Sequence, residues 1–361
     1  MAHKIEEEIV KKVLDLASIL REKMGRKIKL MEVCGTHTMV ISKSGIRSLF
    51  SDTVDLLSGP GCPVCVTSQR DIDRVILLSR EEDVTICTFG DMVKVPGTFS
   101  SLEREKARGR KVEIFYSPLD ALSYAEEHKG EEVVFLGIGF ETTIPLISHS
   151  ILEAKKKGIK NFSVLSLHKC LPPAMRVLLD DRDLSLDGLI LPGHVSTITG
   201  RKAFDFIAKD YGIPSCISGF EPEDVIEAIA RILVQLMRGR KEVEIGYRRL
   251  VKEDGNLRAM EMIERVFEPS DAEWRGFGEI PKSGLKIREE FEEFDTLKRF
   301  RLPDLGPSEK KRGCICGEIV RGKKKPKECE LFSEVCNPSR PFGPCMVSQE
   351  GACAAYYYYG A

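Results

Sequence analysis

Residues 131–157 read EEVVFLGIGFETTIPLISHSILEAKKK. Val133–Ile138 is an apolar run of strand length, rich in β-branched and aromatic residues. Gly139–Thr143 is a polar turn, and Ile144–Lys156 then repeats apolar residues at helical spacing before closing in lysines that suit a helix C-terminus. Strand, turn and helix in that order are the unit of an α/β protein with parallel sheets. The same succession recurs from about residue 28 to 240. Further strands are predicted at Ile28–Val33, Val54–Leu57, Val84–Thr88, Val112–Tyr116, Phe162–Leu167, Gly188–Leu191 and Ser215–Ser218. Helices are predicted at Arg70–Ser79, Leu119–Glu127, Ala174–Leu179, Ala203–Lys209 and Pro222–Met237.

Eight strands are many for one sheet, so they are divided into two parallel-sheet (Rossmann-like) α/β domains facing a cleft, split at the turn His128–Gly130. The expected domains are 1–128, with an N-terminal helix, then 129–243, then a smaller Cys-rich region at 244–361. That last region reads as a helix over Asn256–Phe267, Gly- and Pro-rich loops around GFGEIPKSG, a charged helical stretch Ile287–Lys298, and LGPSEKKRG after Pro303.

The 361 residues carry 55 Lys+Arg against 56 Asp+Glu, a balance that argues against a nucleic-acid or anionic-membrane binder. No apolar run approaches the roughly 20 residues of a membrane span, and the charged N-terminus lacks the apolar core of a signal peptide, so a cytoplasmic protein is expected. In that compartment twelve cysteines point to metal or redox chemistry rather than a disulfide framework. High charge with few Asn and Gln leans toward a thermophile.

Unusual residues gather in the turns after strands, where open α/β sheets bind ligands. Cys34-Gly-Thr-His-Thr38 follows the first strand and Gly59-Pro-Gly-Cys-Pro-Val-Cys65 the second; Gly139–Thr143, Pro192–Ser196 and Gly219-Phe-Glu221 follow later ones. Cys34 stands at a helix start beside His37, a setting that favours thiolate. Cys62 and Cys65 have the spacing of a reversible disulfide or of two ligands to one metal. Glu141 either orients a ligand or serves the helix dipole, and His194 is a candidate ligand or proton carrier. Cys87, Cys170 and Cys216 read as small core residues.

Cys314, Cys316, Cys329, Cys336, Cys345 and Cys353 occupy the tail. Four thiolates would hold a [4Fe–4S] cluster, but the spacing matches no ferredoxin or zinc-ribbon pattern, so it leaves open which four. The basic run Arg321–Lys327 reads as a solvated loop or as charge compensation for an anionic cluster.

Taken together, CGTHT, GPGCPVC, GFETT, LHKCLPPAM, PGHVS, GFEPED and the tail CICGEIVRGKKKPKECELFSEVCNPSRPFGPCMVSQEGACAAYYYY closely resemble the HypD family of hydrogenase maturation proteins, from residue 30 onward. The resemblance implies two α/β domains about a cleft and a third with a [4Fe–4S] cluster. It implies a scaffold on which the Fe(CN)2CO unit of [NiFe]-hydrogenases is built with the chaperone HypC, cyanide arriving from HypE. By that likeness Cys34 is the thiolate for the iron under assembly, with His37 beside it. Cys62 and Cys65 form a redox pair across the cleft, and Glu141, Thr143 and His194 line the same site. In the tail the likeness suggests Cys314, Cys329, Cys336 and Cys353 as cluster ligands and Cys316 with Cys345 as a dithiol/disulfide. Such a protein is a scaffold with redox function rather than a conventional turnover enzyme. The rival readings are a cluster-fed thiol–disulfide oxidoreductase of ferredoxin:thioredoxin reductase type, and a zinc-binding interaction protein.

Overall fold

The computed structural model describes residues 7–306 and 313–360; residues 307–312, within the expected loop LGPSEKKRG, lie outside the described residues. Eleven strands are found among those described: β1 (Ile28–Glu32), β2 (Val54–Ser58), β3 (Val84–Thr88), β4 (Lys111–Ile114), β5 (Glu132–Gly137), β6 (Phe162–Ser166), β7 (Gly188–Pro192), β8 (Ser215–Ser218), β9 (Val243–Ile245), β10 (Phe267–Trp274) and β11 (Gly278–Ile287). The first eight coincide with the predicted strands to within a residue or two.

They form two parallel sheets, each flanked by helices, as the alternation predicts. One has the order β2-β1-β7-β8-β9 and the other β4-β3-β5-β6. Leu30 on β1 lies opposite Leu56 on β2 and Gly188 on β7. One face of the first sheet packs Ile28, Leu30, Leu56 and Ile190 against Ala17 and Leu20 of the helix Glu7–Met24 and Ile229 and Ile232 of the helix Pro222–Arg238. In the second sheet Phe135, Phe162 and Val164 pack on Ile147 and Ile151 of the helix Ile144–Lys157. A third apolar cluster joins the sheets: Met31, Val33 and Leu189 of the first meet Ile86, Val134 and Leu136 of the second, together with Trp274, Cys62, Cys65, Cys316, Cys345 and Cys353. Burial at this scale, at about 25 cal/mol per Å² of apolar surface, locks the sheets and the tail into one packed unit.

The expected domain divisions are corrected by the strand order. The cut at 128/129 falls inside the second sheet, where β3 pairs with β5. Strands β7 and β8, expected in the second unit, return to β1. The second sheet is thus an insertion between β2 and β7. Local periodicity marks each strand and its turns but does not encode which strand it pairs with. The cut at 243/244 divides β9, which completes the first sheet.

The loops expected around GFGEIPKSG are instead the β10–β11 hairpin, turned through Gly276 and Gly278 at positive φ. β10 is buried only at its ends, Phe267 and Trp274, and Phe267, Leu285 and Ile287 join the core of the second sheet. Pro269 and a charged outer face hid it, both tolerated on an isolated two-stranded ribbon. The expected helix Ile287–Lys298 is a 3-10 turn, Glu289–Phe294, and a short helix, Thr296–Arg299. No described helix is long and apolar enough to cross a membrane.

Each sheet reverses its winding at one place: between β1 and β7 in the first, between β3 and β5 in the second. Crevices open at the carboxyl ends of strands at such switch points. The turns that emerge there are Cys34–Thr38 and Gly193–Ser196 in the first sheet, and Phe89–Asp91 and Gly139–Thr143 in the second.

Candidate functional site

Cys34 is the extended residue that caps the helix Gly35–Lys43, and it is 8% exposed. Gly61 lies flat against it. A Cβ at 61 would stand 2.1 Å from the Cys34 nitrogen, and the Gly35 amide donates to the Gly61 carbonyl at 2.9 Å. Only glycine permits that approach. Beneath the turn lies Glu32, fully buried at the end of β1. Its carboxyl accepts from the Cys34 amide at 3.1 Å and from the Thr38 hydroxyl. Burial pushes this carboxyl up to about 7, against the hydrogen bonds from Thr38 and Cys34.

The helix start was expected to favour a Cys34 thiolate. Burial prevails instead and, with the nearby charges of Glu350 and Glu32, pushes the thiol up to about 12, although the amides of His37 and Thr36 oppose it. A thiol held this way gives up its proton when a metal takes its place.

His37 is fully buried, its Nε2 2.9 Å from the Gly219 carbonyl. A carbonyl only accepts, so Nε2 carries the proton and Nδ1, which has no partner among the described residues, presents a lone pair. Burial holds the ring down to about 4, so it is neutral near pH 7. Phe220 stacks on His37 at 5.0 Å and on His194 at 3.7 Å. His194 is more open to solvent, and its pKa moves down for the same reason. The turns after β1, β7 and β8 thereby meet at one place.

Cys62 and Cys65 are disulfide-bonded and buried around the short helix Pro63–Val66. The expectation that they lie across the cleft from Cys34 is corrected. They sit on the turn of the neighbouring strand β2, directly after Gly61, because β1 and β2 pair in parallel and point their turns the same way.

Glu141 and Thr143 belong to the second sheet. Glu141 Oε1 accepts from the Leu171 amide at 2.9 Å, Oε2 is buried without a partner, and burial pushes the carboxyl up to about 7. Thr143 turns its hydroxyl back to the Phe140 carbonyl at 3.2 Å. Their described hydrogen bonds are to the turns of their own sheet, and none reaches Cys34 or His37.

The six tail cysteines lie in short helices and the turns between them. Cys316 makes thiol contacts with Cys314, Cys345 and Cys353, and Cys345 also touches Cys353. Cys316 and Cys345, the expected pair, are therefore in contact, and Cys353 touches both. Those contacts, first with Cys314 and then Cys345, push the Cys316 thiol well above its usual range, with burial adding. Cys336 lies close enough to Cys314 and Cys329 to feel their charges, and its sulfur accepts from the Phe342 amide at 3.2 Å.

Among the described residues no three His, Cys, Asp or Glu side chains are arranged to hold a single metal ion. A [4Fe–4S] cluster makes a different demand, one thiolate to each iron around a cube. The donor set fits it. Six thiols gather in the tail, Cys353 against Cys316 and Cys345, and Cys336 near Cys314 and Cys329; a backbone amide already serves one sulfur, and Gly343 lies where a Cβ would stand 2.6 Å from Cys316 Sγ and 2.7 Å from Cys314 Sγ.

The tail also touches the Cys34 turn. The Thr36 hydroxyl donates to Glu350 Oε1 at 2.6 Å, and a Cβ on Gly35 would come within 2.6 Å of the Glu350 Cβ. Burial raises the Glu350 carboxyl, and the charge of Asp91, from the turn after β3, adds to it. The adjacent Gly351 packs on the backbone of Cys345. The helix Ala352–Tyr359, which contains Cys353, packs on the helix Gly35–Lys43, and the turn Pro344–Met346 packs on the helix Pro63–Val66. Sequence reasoning missed Glu32, Phe220 and Glu350 as parts of this site. A carboxylate between two close cysteines, as in CMVSQEGAC, was the available signal for Glu350.

The buried acids and imidazoles predict a pH signature. Glu32 and Glu141 bind protons more tightly folded than unfolded, so they lose stability as pH rises from about 4.5 to 7. His37 and His168, held down to about 4 and about 3, lose stability as pH falls below 6.5. The two slopes oppose each other between pH 4.5 and 6.5. Glu32→Gln removes one titration, and stability should then rise more steeply with pH there, by up to about 1.4 kcal/mol per pH unit. Denaturant midpoints at pH 5, 6 and 7 read this directly; an unchanged slope would mean Glu32 does not hold its proton.

With this geometry in place, the comparisons with known proteins can be set beside it. The HypD model, described as the hydrogenase formation hypA family, matches residues 8–360. The chain is 43% identical over 357 residues to the hydrogenase maturation factor HypD2 of Bradyrhizobium diazoefficiens, covering 96% of this chain and 94% of that one. It is 45% identical to the hydrogenase maturation factor HypD of Azotobacter vinelandii, covering 93% and 90%. It is 41% identical to the HypD of Escherichia coli, covering 98% and 94%.

Proposed function

Since the chain belongs to the HypD family, we propose that it is a hydrogenase maturation factor of the cytosol, a scaffold on which the Fe(CN)2CO unit of [NiFe]-hydrogenase is put together. The iron is the cargo. Cys34 is its thiolate anchor, and His37 offers the unpartnered Nδ1 beside it. Soft thiolate suits iron that carries cyanide and carbon monoxide. HypC is the proposed chaperone partner and HypE the proposed cyanide donor. Glu141, Thr143 and His194 are proposed to line the rest of the cleft.

The observation that carries this reading is the contiguity of the thiols. The turn bearing Cys345 packs on the helix of Cys62 and Cys65, and the next residues seat Glu350 on the Cys34 turn. Cys314, Cys329, Cys336 and Cys353 are proposed to hold a [4Fe–4S] cluster, which when bound supplies single electrons. Cys316 with Cys345, and Cys62 with Cys65, each take up two electrons and two protons in passing from disulfide to dithiol. The buried Cys34 turn excludes water from the cargo while the Glu32 carboxyl holds its backbone in place.

The test is iron, acid-labile sulfide and zinc per chain on protein purified without oxygen. About four irons and four sulfides are expected from the tail. Further iron with cyanide and carbon monoxide infrared bands is expected when HypC and HypE are supplied. Zinc without sulfide would overturn the cluster and support the zinc-binding reading.

A further inference from the structure

A pocket of about 490 Å³ opens where the tip of the β10–β11 hairpin meets the tail. Cys314 and Cys316 form part of its wall, and so do Arg275, Phe277, Arg321 and Gly343. Its size is that of a small-molecule site. Gly343 lies close against both sulfurs, where a side chain would collide with them, and Cys316 reaches the pocket with 5% of its surface exposed.

The charge of the wall points to the ligand. Arg275 donates from Nε to the Thr67 carbonyl at 3.1 Å and from Nη1 to Gln69 Oε1 at 3.3 Å, both neutral oxygens, while its buried Nη2 has no partner among the described residues. A guanidinium with no carboxylate and one idle donor is an incomplete anion site. The acids at the edge do not complete it. Glu273 is paired with Arg70 at 2.9 Å, and Glu318 is exposed near Lys324. Arg321 is engaged by Asp181 and lies over the Phe277 ring at 5.9 Å.

We propose that this pocket binds a small carboxylate-bearing thiol that exchanges electrons with Cys316. The inference rests on the reading of Cys316 and Cys345 as a redox pair. The ligand thiolate attacks Cys316 Sγ of the Cys316–Cys345 disulfide. A ligand–Cys316 disulfide forms, and Cys345 leaves as thiolate and takes a proton. A second ligand thiolate attacks the ligand sulfur, releasing the oxidised ligand and Cys316. Two ligand thiols are oxidised and one protein disulfide gains two electrons. Cys316 and Cys345 are in side-chain contact, as the exchange requires.

The experiment runs the exchange in reverse on the full chain, reduced, iron-loaded and free of oxygen. Glutathione disulfide is the anionic probe and cystamine the cationic one, each rate normalised to free cysteine, with the modified residue located by peptide mass spectrometry. The expected result is modification of Cys316 about tenfold faster by glutathione disulfide. Arg275→Gln should abolish the preference, Arg275→Lys should keep it, and Phe277→Trp should slow both probes. Equal normalised rates, an unaffected R275Q, or modification elsewhere with Cys316 untouched would overturn the site. A thiol count after mild oxidation separates the two levels. If Cys316 and Cys345 never form a disulfide, the redox-pair reading falls and takes the site with it; if they do and the charge preference is absent, only the site falls.

Discussion

Cys34→Ala is expected to reduce hydrogenase maturation to background while the protein stays folded. The side chain is small and 8% exposed, and its sulfur caps nothing, so the stability loss should stay within about 1–2 kcal/mol. The turn keeps its shape because Glu32, Gly61 and Thr36 hold it through backbone and hydroxyl contacts that alanine preserves. What is lost is the one thiolate proposed to anchor the cargo, and neither His37 nor the Cys62–Cys65 pair can supply a replacement without moving the turn. The tail of the variant should still carry about four irons and four sulfides. Its cyanide and carbon monoxide infrared bands should be missing, and its exchange with a generic disulfide should be unchanged. That last readout separates the scaffold from a stand-alone thiol–disulfide oxidoreductase. Normal maturation in the variant would remove Cys34 from the anchor role.

Trp274→Ala is expected to cost the most stability of any single hairpin substitution, about 3–5 kcal/mol. Trp274 is 1% exposed, and its Nε1–H donates to Ser283 Oγ at 2.7 Å. It stacks near Phe140 of the GFETT turn at 6.0 Å and pairs through its backbone with Thr67, just beyond the Cys65 helix. Removing the ring leaves a cavity where the second sheet, the disulfide turn and the tail come together. Thermal unfolding should begin at a lower temperature, with the tail thiols becoming reactive to a thiol reagent before the sheets unfold. Trp274→Phe should recover most of the loss, since it restores volume and forfeits only the hydrogen bond. A shift below about 1 kcal/mol would mean the hairpin is not a keystone.

The strands and their turns were legible because each is written locally. Val84–Thr88 and Ser215–Ser218 are apolar runs closed by Gly or polar residues, and their limits matched the structure. Cys34, His37, Cys62 and Cys65 were legible because cysteine, histidine and glycine together in such turns have little structural reason to be there. Pairing was not legible. Nothing local in Gly188–Leu191 states that it returns to β1 rather than joining Phe162–Ser166. The hairpin was hidden by charged, proline-containing strands with few buried apolar residues and no regular alternation. Glu32 reads as an interruption in an apolar strand, and only the fold shows it beneath the Cys34 turn. The protonated state of Cys34 was misjudged because a helix start acts through a few tenths to one kcal/mol, and burial of a charge costs more.

The insertion of one sheet into the other also orders events in time. Residues 84–166 contain every strand of the second sheet, so its strands can pair on local contacts early, while Phe267, Leu285 and Ile287 complete its core once the hairpin follows. The first sheet cannot: Leu30 waits for Gly188, and until β7 is made β1 and β2 are a bare pair with an unpaired edge. The Cys34 turn completes later still, because Glu350 and the Cys345 turn follow every strand of both sheets in the chain. A nascent chain therefore carries Cys34 without its covering until the tail is made, and the Cys34 turn takes its final form only after Glu350 has followed.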